Sequence, residues 1–168
     1  MLKKVAVPLF GIALLWGQVA WAEKVLQFVL PDIDGGEFSL EEELGKGPIL
    51  FDFWATWCKP CIKSLAKLQA IERDYKEKGV RVFTINIDGP HNQAKIRPFT
   101  QRHKLKLPVL IDRTSQVMKQ FQLLAVPSSL IVSSTGKVVY KHQGYKPGDE
   151  KKWRQKLDEL LAGAEQTE

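Results

Sequence analysis

The only two cysteines of this 168-residue chain stand three positions apart, in Cys58-Lys59-Pro60-Cys61. In an oxidising compartment their only intramolecular partners are each other. A structural disulfide stabilises chiefly by restricting the unfolded chain, and does so more the longer the loop it closes. A bond across two intervening residues restrains little and is better suited to being opened and closed. In front of the pair, residues 49–54 form an apolar run broken only by Asp52, the pattern of a central strand covered on both faces. Behind it, residues 60–78 place Ile62, Leu65, Leu68, Ile71 and Tyr75 at helical spacing and stop at Gly79. Residues 80–87 read as a second strand, so the cysteines sit where a central strand ends and a crossover helix begins.

The remaining chain extends this pattern. Residues 25–30 predict a short strand, 32–36 a turn, 39–44 a capped helical turn and 45–48 a loop. Further on, 90–103 predict a polar helix, 107–111 a strand, 115–121 a short helix, and 130–133 with 137–142 an antiparallel hairpin. A helix over 149–162, with Trp153, Leu157, Leu160 and Leu161 inward, precedes a frayed tail at 163–168. One α/β domain over residues 23–168 accommodates all of this. Residues 1–22 differ: Lys3 and Lys4 precede an apolar stretch that ends in Ala20-Trp21-Ala22, the form of an export signal. The alternative is an uncleaved anchor, because about 18 apolar residues nearly span a bilayer. Without that segment 23 basic residues face 19 acidic ones, a net +4 in place of +6. The charges are interspersed along helix faces, which argues against nucleic acid as a partner. A richer basic cluster, Arg102, His103, Lys104 and Lys106 within residues 97–106, would suit an acidic partner, but an exposed helix end is the simpler explanation.

Thiol exchange needs a thiolate, and a cysteine at a helix N-terminus has its thiolate favoured by free backbone N–H groups and the helix dipole. Cys58 occupies that place. Pro60 suits the first helical turn, where its missing N–H is not needed, and stiffens the loop between the sulfurs. Lys59 adds a screened positive charge. Cys61, one turn on and more covered, is the natural resolving thiol that attacks a mixed disulfide at Cys58. Half a zinc site is the competing explanation of the motif, but it needs two further ligands, and His91, His103 and His142 lie in unpaired surroundings.

The run from Phe51 through Asp52, Trp54, Ala55 and Trp57 to Cys61 resembles the active-site segment of thioredoxins, and Ala125-Val126-Pro127-Ser128 resembles their second landmark, a cis-proline facing the disulfide. An insertion over about residues 88–109, with the export signal and the Leu30-Pro31-Asp32 opening, is similar to the TlpA/ResA-like branch of exported reductases. The resemblance implies a thioredoxin fold: a central mixed β-sheet flanked by helices, with an inserted helix-strand segment between the active-site helix and the cis-proline. It also implies that Asp52 lies buried behind the disulfide and moves a proton to or from Cys61, the alternative being an aspartate satisfied by a structural contact. Val126 would offer its backbone to an extended client, Pro127 would guard the sulfurs, Trp57 would shape the rim beside Lys59 and Pro60, and Trp54 would be core. Asp88 lies one residue from where some ResA-like proteins carry a functional glutamate, and reads here as a plain turn aspartate.

The same resemblance implies a reductase with no cofactor beyond the Cys58–Cys61 disulfide, working in the periplasm or otherwise outside the cytoplasm. Its clients would be cysteine-containing proteins, apocytochrome c among them, and its electron donor a membrane thiol reductant. A disulfide-forming or isomerising catalyst and a non-catalytic binding module are the alternatives. A peroxidase is disfavoured, because Ala55 stands where a peroxiredoxin has Thr or Ser.

Overall fold

The computed structural model describes residues 27–165. The export signal or anchor expected at 1–22 therefore lies outside the described residues, as do the first two residues of the strand expected at 25–30. Among the described residues no helix is long and apolar enough to cross a membrane.

Strand β3 (Ile49–Trp54) is the axis of the molecule, and all six of its residues are buried. Both faces are covered, which is why its sequence is apolar without alternation. It pairs in parallel with β4 (Arg81–Asn86), which pairs in parallel with β5 (Val109–Ile111). On its other side it pairs antiparallel with β6 (Ser128–Val132), which continues into β7 (Val138–Gln143). The order β5-β4-β3-β6-β7 is a mixed five-stranded sheet. The chain enters through a small antiparallel pair, β1 (Val29–Pro31) and β2 (Glu37–Ser39). The second of these follows the expected turn and takes Ser39, the first residue of the expected capped helix. Only α1 (Leu40–Glu43) remains helical there, and Ser39 makes no side-chain cap bond.

One face of the sheet packs on α2 (Lys59–Tyr75) and α5 (Glu150–Glu165). Leu65, Leu68 and Ile71 of α2 and Trp153 and Leu157 of α5 meet Leu50, Trp54, Val82 and Ile131. The other face packs Phe51 and Phe53 against Phe28, Phe38 and Leu40, and against α4 (Gln116–Gln120) with the following Phe121. Ile62, assigned from its spacing to the inner stripe of α2, is 36% exposed, and the buried position beside it is Ser64. A 3₁₀ turn, Lys76–Lys78, ends this helix at Gly79, whose φ of 82° suits a residue without Cβ.

The expected insertion is present. The 3₁₀ segment Pro90–Lys95 leads into α3 (Ile96–Arg102) and then β5. It is less polar than its sequence suggests, since Ile96 and Phe99 are buried and Phe99 lies against Trp54 with ring centroids 4.8 Å apart. Helix α5 continues through Gly163 to Glu165, where fraying was expected from 163 onward.

Candidate active site

The site assembles at the C-terminal end of β3. Phe53 pairs with Ser128, so Val126 and Pro127, just before β6, lie at the same end of the sheet as the turn 55–58. Cys58 is the N-cap of α2, in extended conformation, and Pro60 occupies the first turn. The two sulfurs form the disulfide Cys58–Cys61. Cys61 is fully buried and Cys58 is 4% exposed. Around it Trp57 is 63% exposed and Lys59 and Pro60 are open to solvent, whereas Trp54 is core. The Val126–Pro127 peptide bond is cis. No hydrogen bond to the Val126 backbone is found among the described residues, which leaves that edge open to an extended chain.

Asp52 is 1% exposed, in mid-strand on the face that receives α2. Its Oδ2 accepts the hydroxyl of Ser64 at 3.2 Å, and its Oδ1 has no partner among the described residues. Burial drives its pKa well above the usual carboxylate range, and the Ser64 hydrogen bond opposes this. That same hydroxyl lies 3.0 Å from the Cys61 carbonyl oxygen and so joins Asp52 to Cys61. Ser64 was not recognisable as part of the site from propensity. The available signal was positional, a polar residue one turn after Cys61 in a stripe that is otherwise apolar.

Asp88 is not a plain turn aspartate. It is fully buried and accepts three hydrogen bonds, from the Thr56 amide at 2.8 Å, the Thr56 hydroxyl at 3.1 Å and Asn86 Nδ2 at 2.9 Å. Its own amide donates to Asn86 Oδ1, and Gln93 Nε2 donates to its carbonyl. This carboxylate braces the turn before Cys58 against the start of the insertion. The rim residues Thr56 and Trp57 also line a groove of about 460 Å³ with Asn92, Lys95, Phe99 and Arg102. Of the basic residues in the 97–106 cluster, Arg97 pairs with Asp34, His103 packs on Phe99, and Arg102 lines the groove.

For the competing zinc reading, no group of three or more His, Cys, Asp or Glu is gathered anywhere among the described residues. A thioredoxin-like fold bearing a dithiol-disulfide pair at the start of its central helix is the class that these features define. Residues 22–141 match the model of the AhpC/TSA family, and the chain belongs to that family. It is 33% identical over 117 residues to the thiol-disulfide oxidoreductase ResA of Bacillus thuringiensis subsp. konkukian, covering 70% of this chain and 66% of that protein. To the ResA of Halalkalibacterium halodurans it is 30% identical, covering 73% and 68% respectively. The first of these matches spans just under two thirds of its relative's length. Among solved structures, a putative thiol:disulfide interchange protein DsbE from Chlorobium tepidum superposes with a TM-score of 0.74 at 28% identity, over 82% of this chain and 95% of that one.

Proposed function

We propose that the chain is a thiol-disulfide oxidoreductase that reduces the disulfides of cysteine-containing client proteins outside the cytoplasm. The observation that carries this is a disulfide at the head of α2, with Cys58 as the N-cap and Cys61 fully buried within the first turn. The names of its relatives, ResA and a putative DsbE, support the activity class. Reduced Cys58, as thiolate, attacks a client disulfide; one client sulfur leaves as thiolate and the other is held in a mixed disulfide. Cys61 then gives its proton to Asp52 and attacks Cys58 Sγ, the second client sulfur leaves as thiolate, and the Cys58–Cys61 bond forms. Two electrons from a thiol donor at the membrane restore the dithiol. The sulfur pair carries these electrons itself, so the cycle needs no prosthetic group. Trp57, Lys59 and Pro60 form the exposed rim that a client meets, Val126 offers unpaired backbone, and buried Pro127 backs the sulfurs. Residues 1–22 serve as export signal or membrane anchor, and apocytochrome c is a client class in keeping with relatives named ResA.

Equilibrating the full chain with glutathione tests the direction of electron flow. A reductase of this design should show a potential near the thioredoxin value of about −270 mV, and one close to the about −120 mV of a strong oxidant would overturn the assignment. In the same preparation Cys58→Ser should abolish insulin reduction. Undiminished client function in that variant would instead identify a binding module.

A further inference from the structure

A single hydroxyl holds the carboxyl of Asp52, and two acceptors compete for its one hydrogen. Ser64 Oγ lies 3.2 Å from Asp52 Oδ2 and 3.0 Å from the carbonyl oxygen of Cys61. Asp52, Ser64 and Cys61 are all buried, with Ser64 and Cys61 fully so. A serine has one O–H to give and two lone pairs with which to accept, so both contacts cannot be donations from Ser64 at once.

The protonation state of Asp52 decides between them. While the acid is neutral, its O–H donates to Ser64 Oγ and Ser64 donates to the Cys61 carbonyl, so both contacts are satisfied. Once the acid ionises, the carboxylate needs a donor, and among the described residues the Ser64 hydroxyl is the one donor within hydrogen-bond distance of it. From β4, Thr84 stands opposite Asp52 and spends its hydroxyl on the Pro108 carbonyl at 3.0 Å. From β6, Ser129 stands opposite on the other side, its Oγ accepting Trp153 Nε1–H of α5 at 2.9 Å and making no hydrogen bond to Asp52. From α2 come only Cys61 and Ser64. No charged side chain of the described residues faces the carboxyl, and only burial and the Ser64 bond displace its titration. The Cys61 carbonyl, by contrast, keeps the intrahelical partner that an α-helix supplies.

We propose that Ser64 is a positioning residue of the redox site, a hydroxyl with two settings that donates to the Cys61 carbonyl while Asp52 holds a proton and to the Asp52 carboxylate after that proton leaves. The proposal rests on Asp52 as the proton acceptor of Cys61, and it adds the group that makes the ionised form attainable inside an apolar face. Each time Asp52 gives up or takes a proton, the hydroxyl turns, and the first turn of α2 beneath the disulfide registers the change. Without it the carboxylate would lose the one donor that the structure gives it, and Asp52 would ionise at higher pH. Hydrogen bonds to ionised groups are strong enough that their loss moves a titration by about one pH unit, or roughly tenfold in ionised fraction below the midpoint.

Carbon-13 NMR of the oxidised full chain tests this directly, by following the Asp52 carboxyl carbon and the Cys61 carbonyl carbon against pH. In the native protein the two should move with one midpoint. In Ser64→Ala the Asp52 midpoint should rise by about one unit and the Cys61 response should vanish, and Ser64→Thr should restore both. An unchanged midpoint in Ser64→Ala would overturn the proposal. So would a Cys61 carbonyl that stays flat through the Asp52 titration in the native protein, a readout that stands even if the alanine variant does not fold. Asp52→Asn separates the two levels: a native pH profile of client reduction in that variant would remove Asp52 from the proton transfer, whereas the NMR titration alone decides the hydroxyl linkage.

Discussion

A carboxyl in the middle of a strand with every residue buried is costly, because desolvation penalises its charged form. Asp52 bears that cost with one hydrogen bond and one unpartnered oxygen. The consequence for stability has a definite sign. Its folded-state pKa is raised above the ordinary 3.8, so the folded chain retains a proton that the unfolded chain has released. Stability from this group is full below about pH 4, falls by up to about 1.4 kcal/mol per pH unit as pH rises toward the folded-state pKa, and levels off above it. Asp52→Asn removes the titrating group. Urea unfolding of the two proteins across this window should show the variant gaining on the native chain as pH rises, and parallel curves would mean that Asp52 ionises normally. The sequence made this residue conspicuous as the one polar interruption of an apolar run. It could not show the partner, because Ser64 becomes a neighbour only when α2 folds back over β3.

Among the elements, the unit β3-α2-β4 was legible from pattern alone, since its periods and its stop at Gly79 are local properties. The turn that carries the chemistry was not. Thr56, in the middle of that turn, is held through its amide and hydroxyl by Asp88, which is 32 positions away along the chain. No local rule distinguishes that carboxylate from a turn residue. Asp88→Ala would strip acceptors from the Thr56 amide, the Thr56 hydroxyl and Asn86 Nδ2, at a cost of about 1–3 kcal/mol for each group left unsatisfied and buried. Denaturant unfolding should show a loss of about 3 kcal/mol, with part of the full cost relieved by water. Hydrogen exchange at the Thr56 amide should accelerate by more than that global loss explains. Exchange that tracks global stability alone would mean that the brace does not hold the turn locally. The strand expected at 25–30 overlaps β1, but β2 and its pairing were missed for a related reason, because a strand of three residues carries too little alternation to identify, and the pairing is fixed by Phe28, Leu30 and Phe38 meeting the sheet.

At the scale of the whole molecule, the sheet separates two apolar layers with different duties. The layer under α2 and α5 contains the disulfide, Asp52 and Ser64, and so combines packing with chemistry. The opposite layer is a purely structural cluster of rings, in which Phe51 lies 5.7 to 5.9 Å from the ring centroids of Phe28, Phe38 and Phe83. Phe51→Ala should therefore cost about 3–5 kcal/mol and lower Tm while leaving the redox potential of the dithiol near its native value, and a shifted potential would mean that the two layers are coupled. The fold class was recoverable from sequence because the strand-helix-strand unit and the Val126-Pro127 landmark constrain it jointly. The groove beside Trp57 was not recoverable, since it brings Thr56 and Trp57 together with residues of the insertion that are more than 30 positions away. All of the proposed chemistry depends on Cys58 being ionised at the head of α2. Alkylation of the reduced, folded chain by iodoacetamide, followed against pH, reads this ionisation. Cys58 should react as a thiolate with a midpoint well below the about 8.5 of an ordinary cysteine. A Cys58 that is inert at neutral pH, or that titrates at that ordinary value, would contradict it.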